Sequence, residues 1–271
     1  MVGVAFQGER GAFSEDAAIE LFGRNIDFSP CIRLALVFEL VSQQEVDFGV
    51  VPLENSQAGS INETYDLLLA YPLNIFAEVI LKVNHYLMAL PDQTLADITT
   101  VYSHPQALAQ CEAFLSKVTA EIVPTYDTAG SAKMIREKQL NNCAAIAGRR
   151  AADIYSLEIL APEIQTNINN YTRFVAISEQ KAAPAEKSKT SLVFAAEHRP
   201  GSLHRILGIF ASRNINLTKL ESRPGRTKPW EYVFYADFEG HEDGEVYKEA
   251  IAELRREAIF LKKLGSYPRA A

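Results

Sequence analysis

The chain has 271 residues, 48% hydrophobic and 23% charged, a globular balance that excludes a disordered or low-complexity protein. Twenty-seven basic residues face 34 acidic ones, giving a formal charge of −7. That disfavours a nucleic-acid partner and favours a small-molecule ligand. Three scattered cysteines make neither a disulfide framework nor a metal-ligand cluster. The N-terminus lacks a signal-peptide pattern, and no apolar run is long enough to span a membrane. A soluble protein of the cytoplasm is expected.

In the first part of the chain, short apolar strands alternate with helical patterns. Residues 2–6 read as a strand, and residues 14–22 as a helix with Ala17, Ala18, Leu21 and Phe22 on one face. Residues 47–51 form a second strand, followed by a polar turn and a helix over residues 65–69. A strand at 100–102 precedes a helix carrying Leu108, Cys111, Phe114 and Leu115, and strands at 121–123 and 143–146 each feed a further helix. Such alternation predicts βαβ units and parallel sheets. Residues 74–90 are a long β-prone run without a neighbouring helix, and residues 172–177 an isolated late strand. The pair predicts a two-lobed domain whose chain crosses between lobes twice, with a ligand cleft between the lobes.

Residues 179–188, EQKAAPAEKS, carry no apolar periodicity and read as a linker. A strand, helix, two strands joined through Pro224-Gly225, a helix and a last strand follow. The order βαββαβ is ferredoxin-like. The predicted division is a domain over 1–180, a linker over 181–189 and a smaller domain over 190–271.

Candidate chemistry lies in the turns that follow strands. The turn from Gly8 to Ser14 either offers backbone N–H groups to an anion or is a tight turn with Ser14 as N-cap. Glu54, Asn55 and Ser56 follow a buried strand; they either contact a ligand or cap the next helix. In Ser103-His104-Pro105-Gln106, a lone His before Pro reads as structural, and Gln106, both donor and acceptor, is the better contact. Thr172 beside Arg173 pairs a hydroxyl with a permanent cation, suited to a carboxylated ligand or to a plain surface ion pair. No P-loop, dinucleotide fingerprint or nucleophile elbow occurs.

Together the stretches GAFSEDAA (11–18), GVVPLENSQAGS (49–60), VYSHPQALAQC (101–111) and NYTRF (170–174) resemble prephenate dehydratases. PGSLHRIL (200–207) and ESRP (221–224) resemble the two phenylalanine-site motifs of the ACT module that follows in that family. The first of these reads Gly-Ser-Leu-His where the family usually shows Gly-Ala-Leu and then Val or Tyr. No chorismate mutase helix bundle precedes the first motif, so the resemblance is to the monofunctional form.

The resemblance implies an α/β fold: a two-lobed, periplasmic-binding-protein-like (type II) catalytic domain plus a ferredoxin-like ACT domain. It implies decarboxylating dehydration of prephenate to phenylpyruvate, inhibited by L-phenylalanine, with no cofactor and no metal. Thr172 is then the key donor to the departing hydroxyl, with Glu54 or water as proton source and with Asn55 and Gln106 positioning the substrate. Arg173 binds a carboxylate or braces the strand; Ser14, Ser56, Ser103 and Phe174 complete the expected substrate site. Phenylalanine is expected at Gly201, Ser202 and Leu203 of one chain and Glu221, Ser222, Arg223 and Pro224 of another, in a homodimer or homotetramer built through ACT domains. Arogenate dehydratase, and a non-catalytic two-domain amino-acid sensor, are the alternatives.

Overall fold

The structure is a computed structural model that describes residues 1–225 and 232–270. It divides into two compact units, Met1–Thr64 with Val79–Phe174, and Tyr65–Glu78 with Val175–Ala271.

The chain opens with β1 (Val2–Gln7), α1 (Phe13–Phe22), β2 (Ile26–Cys31), α2 (Leu34–Ser42), β3 (Phe48–Asn55), β4 (Gly59–Ser60), α3 (Asn62–Ala70) and β5 (Asn74–Lys82). Val4, Ala5 and Phe6 are buried in β1, which pairs in parallel with both β2 and β3. Sequence periodicity does not foresee β2 or α2. The strand IDFSPC carries a proline, which a sheet edge tolerates, and LALVFELVS is too uniformly apolar to show a helical stripe.

The second lobe contains β6 (Tyr86–Ala89), β7 (Thr100–Ser103), α4 (Pro105–Gln110), α5 (Glu112–Leu115), β8 (Glu121–Pro124), α6 (Thr128–Lys138), β9 (Cys143–Ala147), α7 (Arg149–Tyr155) and β10 (Glu158–Ala161). Its sheet runs β10-β6-β9-β7-β8. Alternate residues of the central strands feed opposite cores. Met88, Ala145 and Ala147 face one layer, and Leu87, Ala89, Ala144 and Ile146 the other. Both faces of this mixed sheet, antiparallel at β10-β6-β9 and parallel at β9-β7-β8, are therefore covered. The helix expected through Cys111 is two short helices, because the Cys111 N–H is shared between the Ala107 and Leu108 carbonyls and the helix restarts there.

The expected β-prone run over 74–90 is β5 and β6, which belong to different sheets. They are separated at Val83, Asn84 and His85, where the chain crosses between lobes. The return crossing leads into β11 (Tyr171–Ser178), and the first sheet closes in the order β2-β1-β3-β11-β5, with β4 paired to β3. At the crossings, the Val83 N–H donates to the Asn170 carbonyl at 2.8 Å and the Ile164 N–H to the His85 carbonyl at 2.9 Å.

The second unit holds β12 (Ser188–Ala195), α8 (Ser202–Ala211), β13 (Leu217–Pro224), β14 (Tyr232–Glu239), α9 (Glu245–Glu257) and β15 (Phe260–Pro268). All pairs in the order β13-β14-β12-β15 are antiparallel, the expected ferredoxin-like plan. Leu192, Phe194 and Phe238 pack under Ile206, Phe210 and Leu254 of the two helices. On the other face of this unit, Lys189 Nζ lies 2.8 Å from the fully buried Glu78 carboxylate. Gly265, at φ +149°, passes so close to Ile75 that any β-carbon would meet its carbonyl oxygen. Lys262 caps the carboxyl end of α3 by donating to Leu68, Leu69 and Tyr71 carbonyls. The stretch expected as a linker is partly packed. Ala182 is buried, and Ser188 and Lys189 already belong to β12, because Lys189 must reach Glu78.

Candidate functional site

A cavity of about 300 Å³ in the first unit is lined by residues of both its lobes. Its organising element is a chain of hydrogen bonds whose direction can be read from one end. The Asn55 Oδ1 accepts from the backbone N–H groups of Gln57 and Ala58 at 3.0 and 2.9 Å. Backbone amides only donate, so the other end of the Asn55 side chain must be its NH₂. That NH₂ reaches Asn170 Oδ1 at 2.8 Å and Thr172 Oγ1 at 2.9 Å. Asn170 Nδ2 in turn donates to Gln110 Oε1 at 3.0 Å. Asn55, Asn170 and Thr172 are buried, so each bond forms away from competing water. Asn55 thus satisfies both sequence readings, since its oxygen caps a turn and its nitrogen builds the site.

The consequence falls on Thr172. Its oxygen accepts from Asn55 with one of its two lone pairs, which orients the hydroxyl and leaves its proton free for a ligand acceptor. Thr172 and Phe174 line the cavity from β11, and Gln106 lines it from α4. Ser14 lines it from the first turn of α1, where the N-cap is Ala12 and no side chain caps, so the expected Ser14 N-cap is not formed. The first-turn N–H groups of α1 give this wall a positive dipole end.

Other expected residues lie outside the cavity lining. The Ser103 hydroxyl is fully buried and donates to the Ile146 carbonyl at 2.6 Å, which ties β7 to β9. The exposed Ser56 donates through Oγ to the Asn169 carbonyl and accepts from the Tyr171 N–H, so it stitches the loop to the return crossing. Glu54 and Arg173 face each other at 3.9 Å. Arg173 is nearly buried, an arrangement that braces β3 against β11.

Residues that sequence reading passed over complete the wall. His104 accepts the Gln106 N–H on Nδ1 at 3.2 Å. In the neutral ring, Nε2 then carries the proton. Burial pushes the His104 pKa down, against the opposing pull of Asp127. Asp127 caps α6 by accepting from Gly130 and also accepts from the Glu9 N–H; burial nonetheless raises its carboxyl pKa. His85 and Gln110 also line the cavity. Gln110 and Asn170 lie at the ends of the quoted stretches 101–111 and 170–174, and an apolar-periodicity reading gives no weight to amides. Only their spacing around the two crossings could have signalled them.

In the second unit, Gly201 is the N-cap of α8 at φ +80°, a left-handed conformation suited to glycine. Beside it, a cavity of about 400 Å³ is lined by Pro200, Leu203, Tyr232 and Phe234. Ser202 is buried and its hydroxyl accepts from Arg205. Glu221, Ser222, Arg223 and Pro224 do not line this cavity; they end the edge strand β13. Glu221 meets Lys219 at 3.0 Å, and Arg223 meets Asp66 at 3.4 Å.

Among the described residues no helix is long and apolar enough to cross a membrane. The prephenate dehydratase family profile matches residues 4–182, and the ACT domain profile residues 190–256. The arogenate dehydratase/prephenate dehydratase 2, chloroplastic, of Arabidopsis thaliana is 45% identical over 278 residues, spanning 98% of this chain and 73% of that protein. The crystal structure of prephenate dehydratase in complex with L-Phe from Arthrobacter aurescens superposes with a TM-score of 0.90 at 33% identity. The match covers 99% of this chain and 90% of that one. GqqA, described as a novel type of quorum quenching acylase, gives 0.88 at 31% identity over 99% and 98%.

Proposed function

The chain belongs to the prephenate dehydratase family, and from that premise we infer that its cavity converts prephenate to phenylpyruvate, carbon dioxide and water. The observation that carries the mechanism is the directed bond from Asn55 to Thr172.

In the reaction the ring carboxylate leaves as carbon dioxide, and its electron pair becomes part of the aromatic ring. The opposite C–O bond breaks, and the hydroxyl departs as water after taking up one proton. Decarboxylation needs no base, and aromaticity supplies the driving force. The protein's work is to hold the substrate in line and to stabilise charge on the departing oxygen. Thr172, its oxygen already held by Asn55, donates its hydrogen bond to that oxygen. A threonine hydroxyl is too weak an acid to surrender its proton outright, so water supplies the net proton. Glu54 faces Arg173 and serves as a brace. Gln106, Ser14 and the α1 amides are assigned to the substrate's carboxylates.

We place the functional boundary at the polar stretch 181–189, with catalysis before it and regulation after it. The ACT domain binds L-phenylalanine at the Gly201 turn and the end of β13, across a homodimer or homotetramer. Support for association comes from β13 itself, a sheet edge carrying Leu220 at 42% exposure. We assign the protein to the cytoplasm, consistent with its three free cysteines.

The test is direct. Purified protein is incubated with prephenate and, separately, arogenate, following phenylpyruvate and phenylalanine with and without added phenylalanine. Turnover with inhibition supports the enzyme; tight binding of phenylalanine without turnover of either substrate supports the sensor instead.

A further inference from the structure

The chain crosses between the lobes of the first unit twice, from β5 to β6 and from β10 to β11. The turn between β1 and α1 links the lobes a third time, without a covalent bond. At its centre is Glu9, with both carboxylate oxygens in use. The Tyr126 hydroxyl donates to Oε1 at 3.1 Å and Lys133 Nζ to Oε2 at 2.9 Å. The Glu9 N–H donates to Asp127 Oδ2 at 3.2 Å. All three partners belong to the second lobe, 117 to 124 residues along the chain. The Glu9 side chain keeps only 16% of its surface exposed, so water screens this ion pair in part.

The rest of the turn is fastened to the same lobe by independent means. Tyr155 of α7 donates its hydroxyl to the Arg10 carbonyl at 2.8 Å. Gly11 passes so close to α7 that a β-carbon would stand 2.8 Å from the Ala151 backbone, and its φ of +87° suits glycine. Ala12 is buried in the second lobe's own core, among Met88, Ala129 and Ala151. Beyond it, the fully buried Glu15 accepts the Gly11 N–H at 2.5 Å and Arg10 Nε at 2.7 Å, and Arg150 of α7 reaches it at 3.4 Å. A buried carboxylate needs such partners, and here they come from both lobes.

The place of this fastening gives it a task. Ala12, Phe13 and Ser14 line the cavity from the first lobe, and Tyr126, Asp127 and Thr128 line it from the second. Glu9, Lys133 and Arg150 lie outside the lining. Glu9 thus holds two lining residues without being one itself. With the covalent crossings alone, the lobes would keep a hinge, and affinity would fall in proportion to the fraction of protein standing open. We propose that Glu9 is a positioning residue for the reaction: through it the β1–α1 turn clasps the second lobe and holds the cavity at its working width before substrate arrives. The proposal rests on the dehydratase reading of the cavity. The clasp acts on the population of closed protein, so it governs KM and leaves bond breaking to Thr172.

The experiment uses the full chain. Lys133→Glu sets two carboxylates against each other at the clasp; KM for prephenate should rise about tenfold while kcat stays within about twofold of wild type. Glu9→Lys combined with Lys133→Glu restores opposite charges and should recover most of the lost affinity, which loss of a merely structural residue would not do. A kcat that falls at unchanged KM, an unchanged KM, or a charge swap no better than Lys133→Glu alone would each overturn the proposal. Hydrogen exchange read by mass spectrometry is independent of turnover and of variant folding. In the free protein, a peptide spanning residues 8–12 should exchange about tenfold more slowly in wild type than in Lys133→Glu, and prephenate should restore protection to the variant. Rapid exchange of this peptide in free wild-type protein, slowed only by prephenate, would show the turn unclasped before substrate arrives and overturn the proposal. A protected turn in wild-type protein that does not turn over prephenate would instead remove the dehydratase reading, and with it the reaction that Glu9 serves.

Discussion

The cavity of the first unit and the effector face of the second differ in how finished they are. In the cavity, one directed chain of hydrogen bonds runs from Asn55 to the Thr172 hydroxyl on one side and through Asn170 and Gln110 to the His85 ring on the other. On the effector face, Pro200 and Leu203 line a cavity, while Leu220 on the edge strand β13 and Tyr232 on β14 are about two-fifths exposed. The first cavity is lined by residues of one chain. Under the association proposed through β13, a second copy would close the second. Catalysis should then belong to each chain singly, and regulation to the assembly.

The largest effect expected from disturbing this arrangement is on the unit that carries the effector face. Lys189→Met leaves the Glu78 carboxylate buried without its cation. Denaturant unfolding should show a loss of about 3–5 kcal/mol. A loss below 1 kcal/mol would mean that water reaches this pair.

Next comes the cavity. Asn55→Ala removes the bond that orients Thr172 and the first link to Asn170. Turnover of prephenate should fall about 10²-fold with little change in fold, as for one preorganised donor. Near-normal turnover would show that Thr172 orients itself.

A smaller effect is expected at the sheet edge. Leu220→Lys puts a charge on the exposed edge strand. Sedimentation should show weaker association, and phenylalanine should inhibit several-fold less well while prephenate turnover is unaffected. Full inhibition in a monomeric variant would place the effector site within one chain.

The smallest effect is on pH dependence. The His85 pKa is lowered by burial from its ordinary 6.5. Below pH 6.5 the unfolded chain takes up a proton that the folded ring refuses, so stability is full above that pH and lost as pH falls through it. One such group contributes at most about 1.4 kcal/mol per pH unit. His104 contributes with the same sign. Thermal melts between pH 5 and 7.5 should show a shallower slope for His85→Gln than for wild type.

The sequence made some of this plain and hid the rest for physical reasons. Alternation of short apolar strands with amphipathic helices was enough for the two-lobed plan and for βαββαβ. Thr172, Asn55 and Gln106 were legible because they sit in motifs directly after strands. Ser103 and Ser56 looked equivalent to Ser14, yet two of the three hydroxyls are used by backbone carbonyls. Such local bonds depend on tertiary neighbours that spacing does not reveal. His85, Gln110 and Asn170 were missed because their role lies in the direction of hydrogen bonds between residues far apart in sequence. The end of the polar linker was misplaced because Lys189 is held by a carboxylate over a hundred residues away.

The most direct test of the central claim is turnover of prephenate by Thr172→Ala and Thr172→Ser beside wild type, following phenylpyruvate, with melting temperatures to confirm folding. The account predicts that alanine lowers kcat by about 10²–10³-fold and that serine, which keeps a hydroxyl for Asn55 to hold, retains a substantial part. Near wild-type turnover by Thr172→Ala would contradict it.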